Sequence, residues 1–270
     1  MKITCRLQGG LGNQLFQIMT TIYFAKYHQC EFFFIHHEKS GGDRPVYWDT
    51  LFQKLQPFLL PPGQSFSNIH YYHEPNFEYH PLPPPNREYE VWCLCGYFQS
   101  PNYFPRNILS YISMDKQEMK EMISVHFRYG DYEHLKHIYV ALSETQYYQR
   151  AIAWIRTQTE CRNWKLFFEH KYDTEEKRCF RKSLFDSSDN VQEVDVAASD
   201  WESLLEMASC RYHILANSTF SWWGAYLSLD KTTKTTKTKG IVVYPLEWFH
   251  HDQNKKIQDL IPNDPNWFGI

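Results

Sequence analysis

The chain opens on a short apolar run, KITCRL at residues 2–7, whose pattern predicts a β-strand. Gly9, Gly10 and Gly12 punctuate it, and from Asn13 the apolar positions Leu15, Met19, Ile22 and Ala25 recur at helical spacing. Residues 31–35 (EFFFI) predict a buried strand. The stretch from 36 to 90 is looser, rich in aromatics, His and Pro, and reads as surface loops. Strand character returns at 90–97 (EVWCLCGY), and residues 103–112 predict a helix leading into a second half.

From Ile123 the alternation restarts. ISVHF predicts a strand, followed by a helix opened by Ser143 with Gln146 three residues on, and striped by Tyr147, Ala151, Trp154 and Ile155. Strand WKLFF (164–168), a charged helix after Asp173, a strand near Val191–Val194 and a helix capped by Asp200 come next. YHILA (212–216) runs as a strand into NSTFSWWGAYL, helical after Asn217, and GIVVY (240–244) is stopped by Pro245. Such alternation implies an α/β fold with parallel sheets covered on both faces, in two halves divided near residue 115.

Composition narrows the class. With 43% hydrophobic and 22% charged residues the 270-residue chain is globular, and its net charge of −3 lacks the basic excess that a nucleic-acid partner requires. Aromatic residues reach 17%, which suits a sugar-handling cleft as well as a large core. There is no run of 18 apolar residues and no signal-peptide pattern, so a cytoplasmic protein without a membrane span is expected, its seven cysteines reduced. The KTTKTTKTK run (231–239) reads as a solvated connecting loop.

Three strand-to-helix turns could hold an anion. The turn Gly9 to Gln14 lacks the third glycine of a dinucleotide fingerprint and the Lys-Ser/Thr of a P-loop, so a structural turn and a ligand contact both remain open. Beyond the strand at 123–127 stand His126, Arg128 and Asp131, where open α/β sheets bind ligands. Alternation puts His126 and Arg128 on one side of the sheet and Val125 and Phe127 on the other. Arg128 there either forks onto a diphosphate or pairs with Asp131 to fix the loop. The third turn, Asn217 to Gly224, offers hydroxyls and free N–H groups at a helix start, although capping alone would explain Asn217 and Ser218. No H-E-x-x-H pattern, Cys/His quartet, close Asp-x-Asp pair or G-x-S-x-G elbow is present, so no metal or cofactor is expected. A glycosidase would need two facing carboxylates, which the sequence cannot pair.

The segments GGLGNQLFQ (9–17), GYFQSPNYF (96–104), HFRYGDY (126–132), YYQRAI (147–152) and ANSTFSWWGAYL (216–227) occur in one order. With YPLEWF (244–249) and DLIPNDPNWF (259–268), the chain resembles the α-1,2-fucosyltransferase family over nearly its whole length. That resemblance implies two Rossmann-like domains facing across a cleft (GT-B type): an acceptor-side domain at 1–115 and a GDP-fucose-binding domain at 116–270. It implies inverting, metal-independent transfer of L-fucose from GDP-fucose to a glycan acceptor, at O-2 of a terminal galactose-like residue. Arg128 matches the arginine of the family's His-x-Arg motif, binding the diphosphate and stabilising departing GDP, with His126 beside it. Ser218, Thr219, Phe220 and Ser221 match a nucleotide-contacting turn, Asn13 would reach the diphosphate from the first domain, and Asp131 is the matched carboxylate for the acceptor proton. Acceptor contacts would come from loops in the 36–90 region. An enzyme of different linkage or acceptor, or an inactive glycan-binding homologue, is the alternative. Two departures stand out: Tyr129 where the family commonly has a second arginine, and Glu169 to Asp173 where it has a Ser-Asp-Asp stretch.

Overall fold

In the computed structural model, residues 1–41, 44–114, 118–130, 135–228, 240–250 and 257–270 are described. The chain divides into two compact units, Met1–Asp115 with Asn254–Pro262 and Lys116–Gln253 with Asn263–Ile270. The run at 231–239 lies outside the described residues.

In the first unit, β1 (Lys2–Cys5) leads through the glycine turn into α1 (Leu11–Tyr27), followed by β2 (Glu31–Phe32) and a small antiparallel pair, β3 (Lys39–Ser40) with β4 (Arg44–Pro45). Next come β5 (Ile69–His73) and β6 (Val91–Cys95), and the parallel sheet runs β2-β1-β6-β5. α1 is buried nearly all round, with Leu15, Phe16, Ile18, Met19 and Ile22 wholly inside. Two buried amides on α1 hydrogen-bond back to the chain around its start. Gln17 exchanges hydrogen bonds with both backbone groups of Gln8 (3.0 and 3.2 Å), and Gln14 donates to the carbonyls of Gly9 (3.1 Å) and Pro45 (3.0 Å). These bonds pin the glycine turn to the helix it opens.

Here the structure departs from the sequence pattern in three places. Strand β5 lies within the stretch read as loops, because IHYYH is a half-exposed edge strand with no apolar run to announce it. Residues 101–103 and 106–111 form short 3₁₀ turns separated by Pro105 instead of one α-helix. The strand expected at 31–35 shrinks to two residues, with Phe34 bridging to Leu59.

The second unit runs β7 (Lys120–His126), α2 (Tyr147–Gln158), β8 (Asn163–Phe167), α3 (Glu175–Ser183), β9 (Asn190–Glu193), α4 (Asp200–Ala208), β10 (Cys210–Ile214), α5 (Thr219–Ser228), β11 (Ile241–Tyr244) and β12 (Trp267–Gly269). The helix between the last two strands, α6 (Ile257–Leu260), is grouped with the first unit. All six strands are parallel, in the order β12-β11-β10-β7-β8-β9. From β7 the chain winds outward to β9, then returns to β10 on the other side of β7 and winds outward again. The strand order therefore reverses between β7 and β10, which makes their carboxyl ends a topological switch point.

One face of this sheet carries Ile123, Val125, Phe127, Trp164, Leu166 and Ile214 into a core with Tyr147, Ala151 and Ile155 of α2. The other face packs Phe167 and Val194 against Met207 of α4 and Phe220 of α5. On that second face His213 bridges Ser124 (2.7 Å) and Ser228 of α5 (2.9 Å), a buried polar tie between sheet and helix. Helix starts also differ from expectation. Ser143 lies in a 3₁₀ turn, so α2 begins at Tyr147, whose N–H bonds Thr145 Oγ1 (3.1 Å). The capping box that does form is Ser199 with Glu202, which places Asp200 inside the first turn of α4. All seven cysteines are free thiols, and the Cys93 and Cys95 sulfurs stand 4.0 Å apart on one face of β6.

Candidate active site

The second and third sequence motifs meet at the switch point of the second unit. His126 ends β7, and Arg128 follows two residues on. The ladder pairs Val125 with Leu166 and His126 with Phe167, and Phe127 N still bonds Phe167 O at 2.8 Å. Two residues further, Arg128 faces Glu169 and forms an ion pair with it. To the two readings of Arg128 that sequence left open the structure adds a third: a pairing with Glu169, the first residue of the divergent 169–173 stretch. Asp131 lies outside the described residues.

His126 is 5% exposed, with its ring 5.5 Å from that of Phe220. Burial first, and the Arg128 charge second, push its pKa from the ordinary 6.5 to about 3. It is therefore a neutral wall of the site at working pH, not a proton shuttle. Because the folded-state value is depressed, the unfolded chain binds a proton that the folded chain refuses between pH 6.5 and about 3. Stability gained from keeping His126 neutral is complete above pH 6.5 and declines as pH falls through that window. In an NMR titration the His126 ring is expected to show no protonation between pH 5 and 8; a midpoint near 6.5 would contradict the buried, neutral assignment.

Opposite β7, the chain leaves β10 through Asn217 and Ser218 into α5. Asn217 is buried and donates to Val140 O (2.8 Å) and Trp248 O (3.1 Å), which locks the turn. Ser218 Oγ accepts from Phe220 N at 3.3 Å, while Ser221 is fully buried with its hydroxyl on Ala216 O (3.4 Å) and Ser218 O (3.2 Å). Ser221 therefore braces the turn from inside. Thr219 and Phe220, both half-exposed, are the members whose side chains a ligand can meet. The start of α5 carries the positive dipole end of the helix, which favours an anion.

In the first unit the corresponding carboxyl ends of β1 and β6 bring Asn13 together with Gln99. Gln99 Nε2 donates to Asn13 Oδ1 at 2.9 Å, fixing which way that amide points. Gly9, at φ +79°, lies under Asn13, whose Nδ2 would be 2.5 Å from any Cβ placed there. Glu74 accepts from Tyr97 N (2.7 Å) and Phe98 N (3.0 Å), holding the loop that presents Gln99. Gln99 was within reach of the sequence reading, since it sits in the 96–104 segment; Glu74 carried no signal.

The divergent positions turn out to be built together. Tyr129 is 4% exposed and packs in the core with Phe127 and Tyr148, away from the side of the sheet that His126 occupies, so its substitution changes the core. Its hydroxyl lies 3.5 Å from Arg181 Nη1 and its ring 4.6 Å from Lys177 Nζ. Buried Arg181 stacks 3.7 Å from the Phe168 ring centroid and pairs with Asp173 at 2.7 Å. A cavity of about 510 Å³ opens beside Arg128, with Lys136, Ser143, Lys177 and Asn217 among its walls. Among the described residues no three His, Cys, Asp or Glu side chains gather as a metal site requires, and no helix is long and apolar enough to cross a membrane.

Comparison with known proteins agrees with this architecture. The sequence profile described as Glycosyl transferase family 11 matches residues 105–264. An alpha-1,2-colitosyltransferase of Escherichia coli is 29% identical over 193 residues, covering 65% of this chain and 61% of that protein. The O-antigen biosynthesis glycosyltransferase WbnK of Escherichia coli is 27% identical over 138 residues, 50% of this chain and 41% of that one. The match thus spans less than two thirds of either relative. Among solved structures, POFUT1 in complex with GDP-fucose superimposes with a TM-score of 0.52 at 10% identity, covering 90% of this chain and 97% of that chain. The fucosyltransferase NodZ from Bradyrhizobium does so with 0.52 at 12% identity, covering 84% and 92%. The α/β fold with parallel sheets expected from the sequence is the fold these enzymes share.

Proposed function

The chain belongs to glycosyl transferase family 11, and from that premise we propose that it moves L-fucose from GDP-fucose to a sugar hydroxyl, O-2 of a terminal galactose-like residue. The observation that carries this reading is Arg128 at the tip of β7, across the switch point from the start of α5. Arg128 would bind the diphosphate through its guanidinium fork and oppose the charge that grows on GDP as the sugar–oxygen bond breaks. The N–H groups at the start of α5 would add fixed partial charge, with Thr219 and Phe220 against the nucleotide. His126, neutral, would exclude water beside the diphosphate. Asn13, whose amide Gln99 orients, is proposed as a further donor for the nucleotide. In a single displacement the acceptor oxygen bonds the anomeric carbon from the face opposite the leaving phosphate, and its proton passes to a carboxylate, for which Asp131 is the proposed acceptor.

The test is to mix the purified chain with GDP-fucose and galactose-terminated oligosaccharides, follow GDP release, and read the product linkage by NMR. Acceptor-dependent GDP release with an α-1,2 linkage is expected. GDP-fucose binding without release across an acceptor panel would instead identify a glycan-binding homologue, and another linkage would reassign the acceptor. Metal independence is part of the proposal, so the rate is expected to be unchanged in excess EDTA, and a loss restored by a divalent ion would overturn it. A second reading, colitosyl transfer, rests on the 29% identical relative, so GDP-colitose belongs in the same donor panel.

A further inference from the structure

We propose that Glu169 is a built-in counter-ion that the donor's diphosphate must displace from Arg128, so that this carboxylate sets donor affinity and helps GDP to leave. The inference rests on the donor reading above. Three observations carry it. First, the pairing is dictated by the sheet: the parallel register of β7 and β8 brings Arg128 and Glu169 opposite one another at adjacent strand tips. Second, the pair is part-buried but not sealed, the two side chains being 15% and 31% exposed, so an incoming phosphate can reach the guanidinium.

Third, the backbone carrying Glu169 is fixed. Gly130, at φ +78°, lies under the Tyr172 ring, which would be 2.5 Å from a Cβ there. His170 Nε2 lies 3.0 Å from Val194 O, and Lys177 Nζ donates to Tyr172 O at 2.8 Å. A displaced Glu169 carboxylate therefore cannot retreat far; it stays beside the bound diphosphate as a like charge. When GDP departs, the carboxylate retakes the guanidinium. A guanidinium donates to a carboxylate or to a phosphate from the same edge, so the two anions compete for one fork.

The experiment is calorimetric titration of GDP and GMP into the intact wild-type chain, Glu169→Gln, Glu169→Ala and Arg128→Ala, with steady-state kinetics on the first three. Glu169→Gln, which keeps the shape and removes the charge, is expected to bind GDP about tenfold tighter, or about 1.4 kcal/mol. The gain should be smaller for GMP and shrink at high salt, while kcat falls as release slows. Glu169→Ala should show the same gain, which guards against an effect peculiar to the amide. If Arg128→Ala loses GDP binding while both Glu169 variants bind GDP no tighter than wild type, Glu169 merely orients the arginine and this proposal fails alone. If Arg128→Ala binds GDP as wild type does, the donor reading itself falls.

Discussion

Replacing Arg128 by alanine is expected to slow transfer by about 10²-fold or more, the scale of removing one preorganised charge-stabilising donor from a developing anion. The loss should appear both in the KM for the donor, whose diphosphate the fork binds, and in kcat, because the fork matters most as the leaving phosphate gains charge. Arg128→Lys should recover only part of it, since an ammonium supplies charge without two parallel hydrogen bonds. By contrast, Ser221 is sealed beneath the turn, and Ser221→Ala acts on the turn rather than on the donor. Steady-state kinetics with GDP-fucose and a working acceptor measure this directly. Near-normal turnover in Arg128→Ala would remove the arginine from the mechanism and with it the reading of the β7 tip as the reacting site.

Sequence alone led to Arg128 because β7 is strongly patterned. Ile123, Val125 and Phe127 enter one core while Ser124 and His126 face the other way, and alternation suffices to say which side Arg128 takes. The pairing of Arg128 with Glu169 was beyond sequence reasoning, because Glu169 is brought opposite by inter-strand register, a tertiary fact. Strand β5 was hidden because an aromatic edge strand beside proline-rich chain gives neither an apolar run nor clean alternation. The capping box was misplaced for a related reason: Ser143 and Ser199 both begin plausible boxes, and only the 3₁₀ turn at Leu142–Glu144 disqualifies the first. Arg181 was missed because EEKRCFRKS reads as a solvated helix, and nothing in that spacing shows that one guanidinium lies over Phe168.

That buried guanidinium supports the second large effect. Arg181→Ala is expected to destabilise the protein by about 3 kcal/mol, the lower end of the cost of breaking a buried ion pair by removing one partner. The side chain is 2% exposed and holds Asp173 at 2.7 Å and Glu193 at 3.4 Å. Its loss strips Asp173 of its nearest cation and opens a void against Phe168 and Tyr129. The lower end applies because Glu193 reaches water and Arg178 stays 3.3 Å from Asp173. At about 2–4 °C per kcal/mol for a chain of this size, the melting midpoint should drop by roughly 10 °C. The deficit also has a pH signature. The hydrogen bond from Arg181 holds the Asp173 carboxyl below its ordinary value of 3.8, so the pairing stabilises fully above that value and is lost as pH falls through the lower folded-state one. Wild type and Arg181→Ala should therefore differ most near neutral pH and converge in acid below about pH 4, while Asp173→Asn should lose the same acid-sensitive part. Because Asp173 closes the stretch that Glu169 opens, Arg181→Ala should also loosen the carboxylate facing Arg128, and its GDP affinity should depart from wild type even where the fold survives. A melting midpoint within 1–2 °C of wild type would show that the cluster around Tyr129 holds without its cation, and that the order of the 169–173 turn has another source.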